Sequence, residues 1–359
     1  MPSGMDWNLR SSEALRQRVE QIARQLDEDL RRVRDLTGGW RDAAQTDQLA
    51  REALQRALDQ LSGTNCWGEA NRLPSSVLWR IAGAWLESGT LQLRARTKPR
   101  GYAGDFEMLT QIATSHVSDH PLGAAFDQFF QRQAAPQAVR NRTALIGRAI
   151  ADFVRQRPAG PVRVVSVGSG PALDLHQACI ALTPPQRQRL QIALLDLDPA
   201  ALDYARSQLS PLVEPGQLQL VRENLFRLAQ SSRSGSFLDG ADVLVCSGLF
   251  DYLDNATAAT LLARFWQALR PAGQAWVFNF APHNPSRAYM EWIGNWYLIY
   301  RTPEQMREVA AQAGIPHQQL QISAESSGVN LYWQITRPAG VECAAGSLSQ
   351  PNATWQMED

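Results

Sequence analysis

The sequence predicts an α/β protein in which a doubly wound parallel sheet follows an all-helical N-terminal region. Three observations carry this. In the first third of the 359 residues apolar side chains recur at spacings of three and four, the period of a helix with one buried face. After the Pro158-Ala-Gly-Pro161 punctuation, short runs rich in Val, Ile and Leu alternate with helical stretches, the pattern that builds a parallel sheet with helices on both faces. A glycine-rich turn joins the first of those runs to the helix behind it.

The helical elements come first. SSEALRQRVEQIARQLDEDLRRVRDL and DAAQTDQLAREALQRALDQL give two amphipathic helices between residues 11 and 62, parted by Gly38-Gly39. SSVLWRIAGAWLESG, after Pro74, is a third apolar segment. Residues 1–135 are therefore expected to form a helical domain, with a loop at 94–108. The helix QAVRNRTALIGRAIADFVRQR then opens a second domain, 136–337. Its strands are VRVVSV (162–167), QIALLD (191–196), LQLVRE (218–223), DVLVCS (242–247) and QAWVFNF (274–280), by composition and length. PALDLHQACIAL, PAALDYARSQL and NATAATLLARFWQALR are the helices between them. Thr302-Pro303-Glu304-Gln305 supplies an N-cap, a Pro at the first helical position and a capping-box Gln. Two further strands near 317–323 and 329–336 are expected to close the sheet, antiparallel at its edge. The tail 338–359, rich in Ala, Gly and Ser, is expected to be loosely held.

Composition narrows the function. With 44% hydrophobic and 19% charged residues the chain has ample material for a core. Lys+Arg and Asp+Glu are equal at 35 each, so no net field exists to hold a polyanion, and nucleic acid is not an expected partner. Cys66, Cys179, Cys246 and Cys343 are scattered without CxxC spacing or clustered His, which indicates neither a zinc site nor a disulfide framework and fits a reducing cytosol. The N-terminal residues hold no apolar signal core and no run of 18 apolar residues occurs, so neither export by that route nor a membrane span is expected. The sequence leaves open whether the chain self-associates.

The glycine turn carries the chemistry. In Val164-Val165-Ser166-Val167-Gly168-Ser169-Gly170-Pro171-Ala172, glycine at 168 and 170 lets the backbone approach a ligand, and the helix N-terminus offers unpaired N–H groups. Asp196 closes the next strand in LLDLDPAAL, where a carboxylate can accept both hydroxyls of a ribose. A dinucleotide fingerprint requires Gly where this chain has Leu173. An adenosyl ligand without a pyrophosphate needs only the first two glycines.

VVSVGSGPALD, LLDLDPAAL, VRENLF, ADVLVCSGLFDYL and LRPAGQAWVFNF, in this order, resemble the motifs of class I S-adenosylmethionine-dependent methyltransferases over about 140–336. The resemblance implies a Rossmann-like sheet with S-adenosyl-L-methionine as cofactor. It places Gly168, Ser169 and Gly170 along the methionine, Asp196 on the ribose, Leu197 against the adenine, Asn224 and Leu225 at the adenine edge, and Ser247 and Gly248 beneath the sulfonium. Ser166 and Asn224 stand where many members carry an acidic residue. A narrower resemblance, on RTKPRGYAGDFEM (96–108) and NPSRAYMEWIGNWYLIYRTPEQM, is to the bacterial extracellular-factor, 3-hydroxypalmitic acid methyl ester biosynthesis proteins. It implies methylation of a fatty-acid carboxyl group.

Acceptor residues are read from three places. Tyr289, Trp292, Trp296, Tyr297 and Tyr300 fall on one stripe if 288–301 is helical, either a core face or the wall of an acyl channel. Arg94, Arg96, Lys98 and Arg100 form a cationic run in which Arg100 can bind a carboxylate and Tyr102 can close over the cofactor. His283, Asp251 and Tyr252, each just past a strand, are the candidates for a base. The expected activity is methyl transfer to a small, largely apolar acceptor, preferably a carboxylate, which needs no base because it is already ionised. The alternatives are O- or N-methylation of another metabolite through a general base, or a cofactor-binding module whose helical domain meets a protein.

Overall fold

The computed structural model describes residues 4–157, 159–224 and 237–339, with side chains from residue 13. Seven strands form one sheet among the described residues: β1 (Val162–Val167), β2 (Leu190–Asp196), β3 (Leu218–Arg222), β4 (Ala241–Cys246), β5 (Leu269–Phe280), β6 (Leu320–Ala324) and β7 (Asn330–Thr336). Their order is β3-β2-β1-β4-β5-β7-β6. β1 to β5 are parallel, and β7 runs antiparallel to β5 and β6. The sheet is thus the expected doubly wound one, with its switch point at β1 and β4, where such folds open a crevice beyond the carboxyl ends of the strands.

The apolar runs follow from burial on both faces. Alternate side chains of β1 enter different cores: Val165 and Val167 pack with α11 (Asn255–Ala268) and α12 (Pro303–Gln312), Val162 and Val164 with α7 (Ala134–Gln156), α8 (Leu173–Ala181) and α10 (Pro199–Leu209). α9 (Pro184–Arg187) is one capped turn. The strand expected from 317 begins at Leu320, because His317–Gln319 forms a 3₁₀ turn. The tail from 340 lies outside the described residues.

Ahead of the sheet stand α1 (Gly4–Leu36), α2 (Ala43–Ser62), α3 (Arg72–Leu86), α4 (Thr90–Thr97), α5 (Phe106–Ala113) and α6 (Pro121–Gln131). Gly38 and Gly39 turn the chain between α1 and α2 at φ of +61° and +76°. These helices share one apolar core with Tyr289, Met290, Trp292, Ile293 and Trp296, which follow β5.

That last segment departs from the sequence expectation. Tyr289–Ile293 is a single π-helical turn, Asn295 has φ of +50°, and no helix continues beyond it. The carbonyls that would carry a helix onward are taken from outside: Ser75 Oγ donates to the Trp292 carbonyl and Trp79 Nε1 to the Ile293 carbonyl, each at 3.0 Å. The aromatic residues therefore do not share one stripe.

Asp127 on α6 sets the position of α4. Its fully buried carboxylate accepts from the backbone N–H of Thr90 (3.2 Å), Leu91 (2.9 Å) and Ser118 (2.9 Å). Asp127→Ala strands the Leu91 and Ser118 donors, while Thr90 N keeps the Ser118 hydroxyl at 3.0 Å. With hydrogen bonds to a charged group contributing about 1.5–3 kcal/mol each, urea unfolding should show a loss of at least about 2 kcal/mol at unchanged m-value. A loss under about 0.5 kcal/mol would mean that α4 is capped by other means.

Candidate active site

The glycine turn stands where β1 enters α8. Gly168 and Gly170 take φ of +63° and +50°, the left-handed region open to glycine at little cost. The Gly168 N–H donates to the Leu195 carbonyl (2.8 Å), tying the turn to the end of β2. Asp196, the last residue of β2, is buried, and its two carboxylate oxygens accept from Gly170 N (2.8 Å) and Asp198 N (3.0 Å). Burial pushes this carboxyl up while the two backbone donors hold it down. Leu197 beside it is 48% exposed, and the buried hydroxyl of Ser169 has no partner. Ser247 and Gly248 follow β4, next to β1 in the sheet. Asn224 lies beyond β3, its N–H on Glu223 Oε1, and Leu225 lies outside the described residues. The sheet thus gathers Gly168, Ser169, Gly170, Asp196, Leu197, Ser247 and Gly248 at one edge. An unpartnered hydroxyl, an exposed leucine and a carboxylate with spare lone pairs fit an adenosyl ligand there.

A loop from the helical region crosses this edge. It is shorter than the expected 94–108, since Arg94 and Arg96 lie on α4 and Phe106 starts α5. Both ends are clamped: Arg94 forms two bonds to Asp105 (2.9 and 2.8 Å), and Asp105 also caps α5 by accepting from Met108 N. Arg100 corrects the sequence reading. Its guanidinium pairs with Glu107 and with Asp198 (3.0 Å) and lies over the Phe106 ring, so it fastens the loop to the end of β2 and is already neutralised by two carboxylates. Tyr102 stands nearby, its phenol pushed up by burial and by the carboxylates of Asp196 and Asp198. Gly104 is needed for close approach, because a Cβ there would lie 2.9 Å from Trp296 Cζ2.

Trp296 in turn donates from Nε1 to the Tyr252 hydroxyl at 2.8 Å. Behind this pair lies a narrow apolar cavity walled by Leu109, Ile112, Phe130, Val139, Met290 and Leu298. Its polar end carries Arg142, Gly248, Asp251 and Tyr252. A more open groove on the other side of Trp296 and Tyr252 is lined by Lys98, Tyr102 and Tyr297. Asp251 accepts from Phe280 N at 2.7 Å, and burial pushes its carboxyl up to about 6.

Three expected acceptor contacts are placed elsewhere. Tyr289 stacks on Phe130 and donates to Gln92 Oε1 within the helical core, and Trp292 is fully buried there. Tyr300 packs beneath Arg287. His283 is exposed with Nε2 at the Gly328 carbonyl (3.0 Å) and lines neither the cavity nor the groove. Tyr297 donates to Asn71 Oδ1 (3.0 Å) and keeps a place on the groove.

The sequence reading passed over Arg142. It stands three residues after Val139 and four before Ile146, on the buried side of α7, and a lone cation on an apolar helix face was the available signal.

No protein-family model matches the chain, and no curated protein matches it. Solved structures do. A possible exported protein from Bordetella parapertussis aligns over 66% of this chain and 80% of its own, at 24% identity and a TM-score of 0.52. The S-adenosylmethionine-dependent methyltransferase SibL aligns over 93% and 99% at 16% identity and a TM-score of 0.45. Magnesium protoporphyrin IX methyltransferase from Synechocystis, with bound SAH, aligns over 57% and 87% at 13% identity and a TM-score of 0.41. The likeness to the Bordetella protein is one of fold. Among the described residues no helix is long and apolar enough to cross a membrane.

If Arg100 fastens the loop, Arg100→Ala should loosen it without unfolding the sheet. Amide exchange over 99–104 should quicken roughly tenfold, the factor for about 1.4 kcal/mol of lost charge-assisted bonding, while β1 and β4 stay protected. Unchanged exchange in the loop would show that Arg94 and Asp105 hold it alone.

Proposed function

We propose that the chain is an S-adenosylmethionine-dependent methyltransferase whose acceptor is a small, largely apolar acid. The observation that carries this is one continuous edge. A cofactor-shaped set at the ends of β1, β2 and β4 adjoins an apolar cavity through Gly170, whose added Cβ would lie 3.5 Å from Leu109, and through Gly248. The cofactor would supply an electrophilic methyl group; Asp196 and the glycine turn would hold it, with Leu197 on its adenine. The protein's own work is to seat the acceptor and exclude water. Loop 98–105, closed by the Arg94–Asp105 and Arg100–Asp198 pairs, covers the edge, and Trp296 with Tyr252 walls it from the groove. The fatty-acid methyl ester family is the narrower form of this reading, supported by the KPRGYAGD loop and the aromatic segment. Cys66, Cys179 and Cys246 are free and buried, and a cytosolic setting belongs to the same proposal.

Binding tests the cofactor half. S-adenosylhomocysteine should bind with measurable heat and NAD should not, and Asp196→Ala should weaken the former by about 1.5–3 kcal/mol. Equal affinity in that variant would take Asp196 out of the site.

The pH dependence of the rate tests the acceptor. A carboxylate with an ordinary pKa near 4 is ionised throughout the neutral range, so kcat/KM should be nearly flat from about pH 7 to about pH 9 and should survive His283→Ala. An acceptor needing a base would behave otherwise: burial pushes Asp251 up to about 6, so with Asp251 as the base the rate would climb as pH rises through that range, and the climb would vanish in Asp251→Asn. That second pattern would establish the hydroxyl or amine alternative.

A further inference from the structure

We propose that Arg142 is the carboxylate receptor of the acceptor site, the role that sequence position assigns to Arg100. The assignment deepens the acid-acceptor reading above and rests on it.

Arg142 is 4% exposed, and its Nη1 is buried without a partner. Among the described residues no ion pair engages it, although Asp251 and Asp174 are its acidic neighbours and Tyr252 and Cys246 also face it. Those two carboxylates accept from backbone donors instead, Asp251 from Phe280 N and Asp174 from Leu175 N. Arg301 shows what a structural buried arginine looks like in this fold: its guanidinium donates to Asn255 Oδ1, Asn279 Oδ1 and the carbonyls of Phe250 and Leu253. The Arg142 fork has no such set. Leaving a buried guanidinium donor unmatched is costly, and a ligand carboxylate is the group whose geometry matches that fork.

Its surroundings define the ligand. The guanidinium shares the polar end of the cavity with Asp251 and Tyr252, Asp251 already engaged by Phe280 N, and Nη2 would lie 3.5 Å from a Cβ on Gly248. A carboxylate on Arg142 therefore stands beside the strand end that also borders the proposed cofactor; the cavity behind it is about 20 Å³, room for one water, so an apolar tail enters by displacing the side chains of Ile112, Phe130, Val139 and Met290. Tyr252 completes the headgroup site. Its hydroxyl accepts from Trp296 and keeps its own proton to donate, since burial pushes the phenol up. Arg142 is a binding and positioning residue: it fixes a carboxylate oxygen and selects acids over neutral molecules of the same shape.

Octanoate and octanamide, titrated calorimetrically into the protein with and without S-adenosylhomocysteine, separate charge recognition from apolar fit. The wild type should prefer octanoate at least tenfold. Arg142→Met should erase that preference while still binding S-adenosylhomocysteine and melting no lower than the parent, because it removes an unmatched buried charge. Arg142→Lys should keep part of the preference. If Arg142→Met binds octanoate as the parent does, or if it merely unfolds while Arg142→Lys matches the parent in every titration, the residue is structural and the proposal falls. If it instead loses S-adenosylhomocysteine tenfold or more but keeps methylthioadenosine, which lacks the amino-acid carboxylate, the receptor serves the cofactor and the acceptor assignment is overturned. Failure of the wild type to bind S-adenosylhomocysteine would sink the methyltransferase reading, while the octanoate preference and its loss in Arg142→Met would still stand or fall separately.

Discussion

The seating of residues 289–297 in the core of the N-terminal helices is the interaction on which the site depends. Tyr289, Met290, Trp292 and Ile293 are buried against α2, α3 and α6, each worth roughly 1.5–3 kcal/mol of apolar burial. Polar contacts fix the register: Glu291 accepts from Gly68 N, Tyr289 meets Gln92, Tyr297 meets Asn71, and α3 takes two carbonyls. All join residues about 200 positions apart in sequence. Because the segment leaves β5, this packing draws the helical region over the carboxyl edge of the sheet. Trp296, at its far end, is thereby set against Tyr252 from the end of β4 and Gly104 from the loop.

The same edge concentrates buried charge, and each charged group is treated differently. Arg301 is saturated by carbonyls and amides and holds the 250–255 turn in place. Arg94 and Asp105 neutralise each other bidentately, closing the base of the loop. Asp196 is offset by the Gly170 N–H of the turn and by the N–H of Asp198. Arg142 has no comparable partner. Other buried polar atoms also lack a partner, Arg163 Nε and the Asn330 amide among them, but Arg142 differs from these in lining a cavity, with no hydrogen bond or ion pair to any described residue.

Position in sequence proved a poor guide to which cation is available. Arg94, Arg96, Lys98 and Arg100 read as a run facing one ligand, yet Arg94 and Arg100 close ion pairs and Arg96 lies over Trp79. Arg94 and Arg100 fasten the loop, Arg96 docks α4 on Ser75 and Trp79 of α3, and Lys98 lines the groove. The use of Arg94 and Arg100 is mechanical: the pairs anchor the segment that carries Tyr102 and Gly104 across the turn.

What the sequence determined by itself is what local physics controls. β-branched runs buried on both faces, glycines at positive φ, the Thr302 capping box and the Gly38-Gly39 break are properties of a few neighbouring residues, and the sheet, its helices and the Gly168–Gly170 turn with Asp196 were legible from them. The tertiary structure decided everything that rests on a partner distant in the chain. The stripe from Tyr289 to Tyr300 has a helical period, but side chains of α3 capture the carbonyls that would continue the helix, and its aromatics disperse between core and cavity. His283 has the right position after β5 and the wrong surroundings, at the surface on the Gly328 carbonyl. Arg142 sits on the apolar side of an ordinary helix. Only the meeting of α7 with the ends of β1 and β4 shows that its guanidinium is buried, unmatched and turned toward a cavity, because burial and pairing are relations between distant residues that no local pattern encodes.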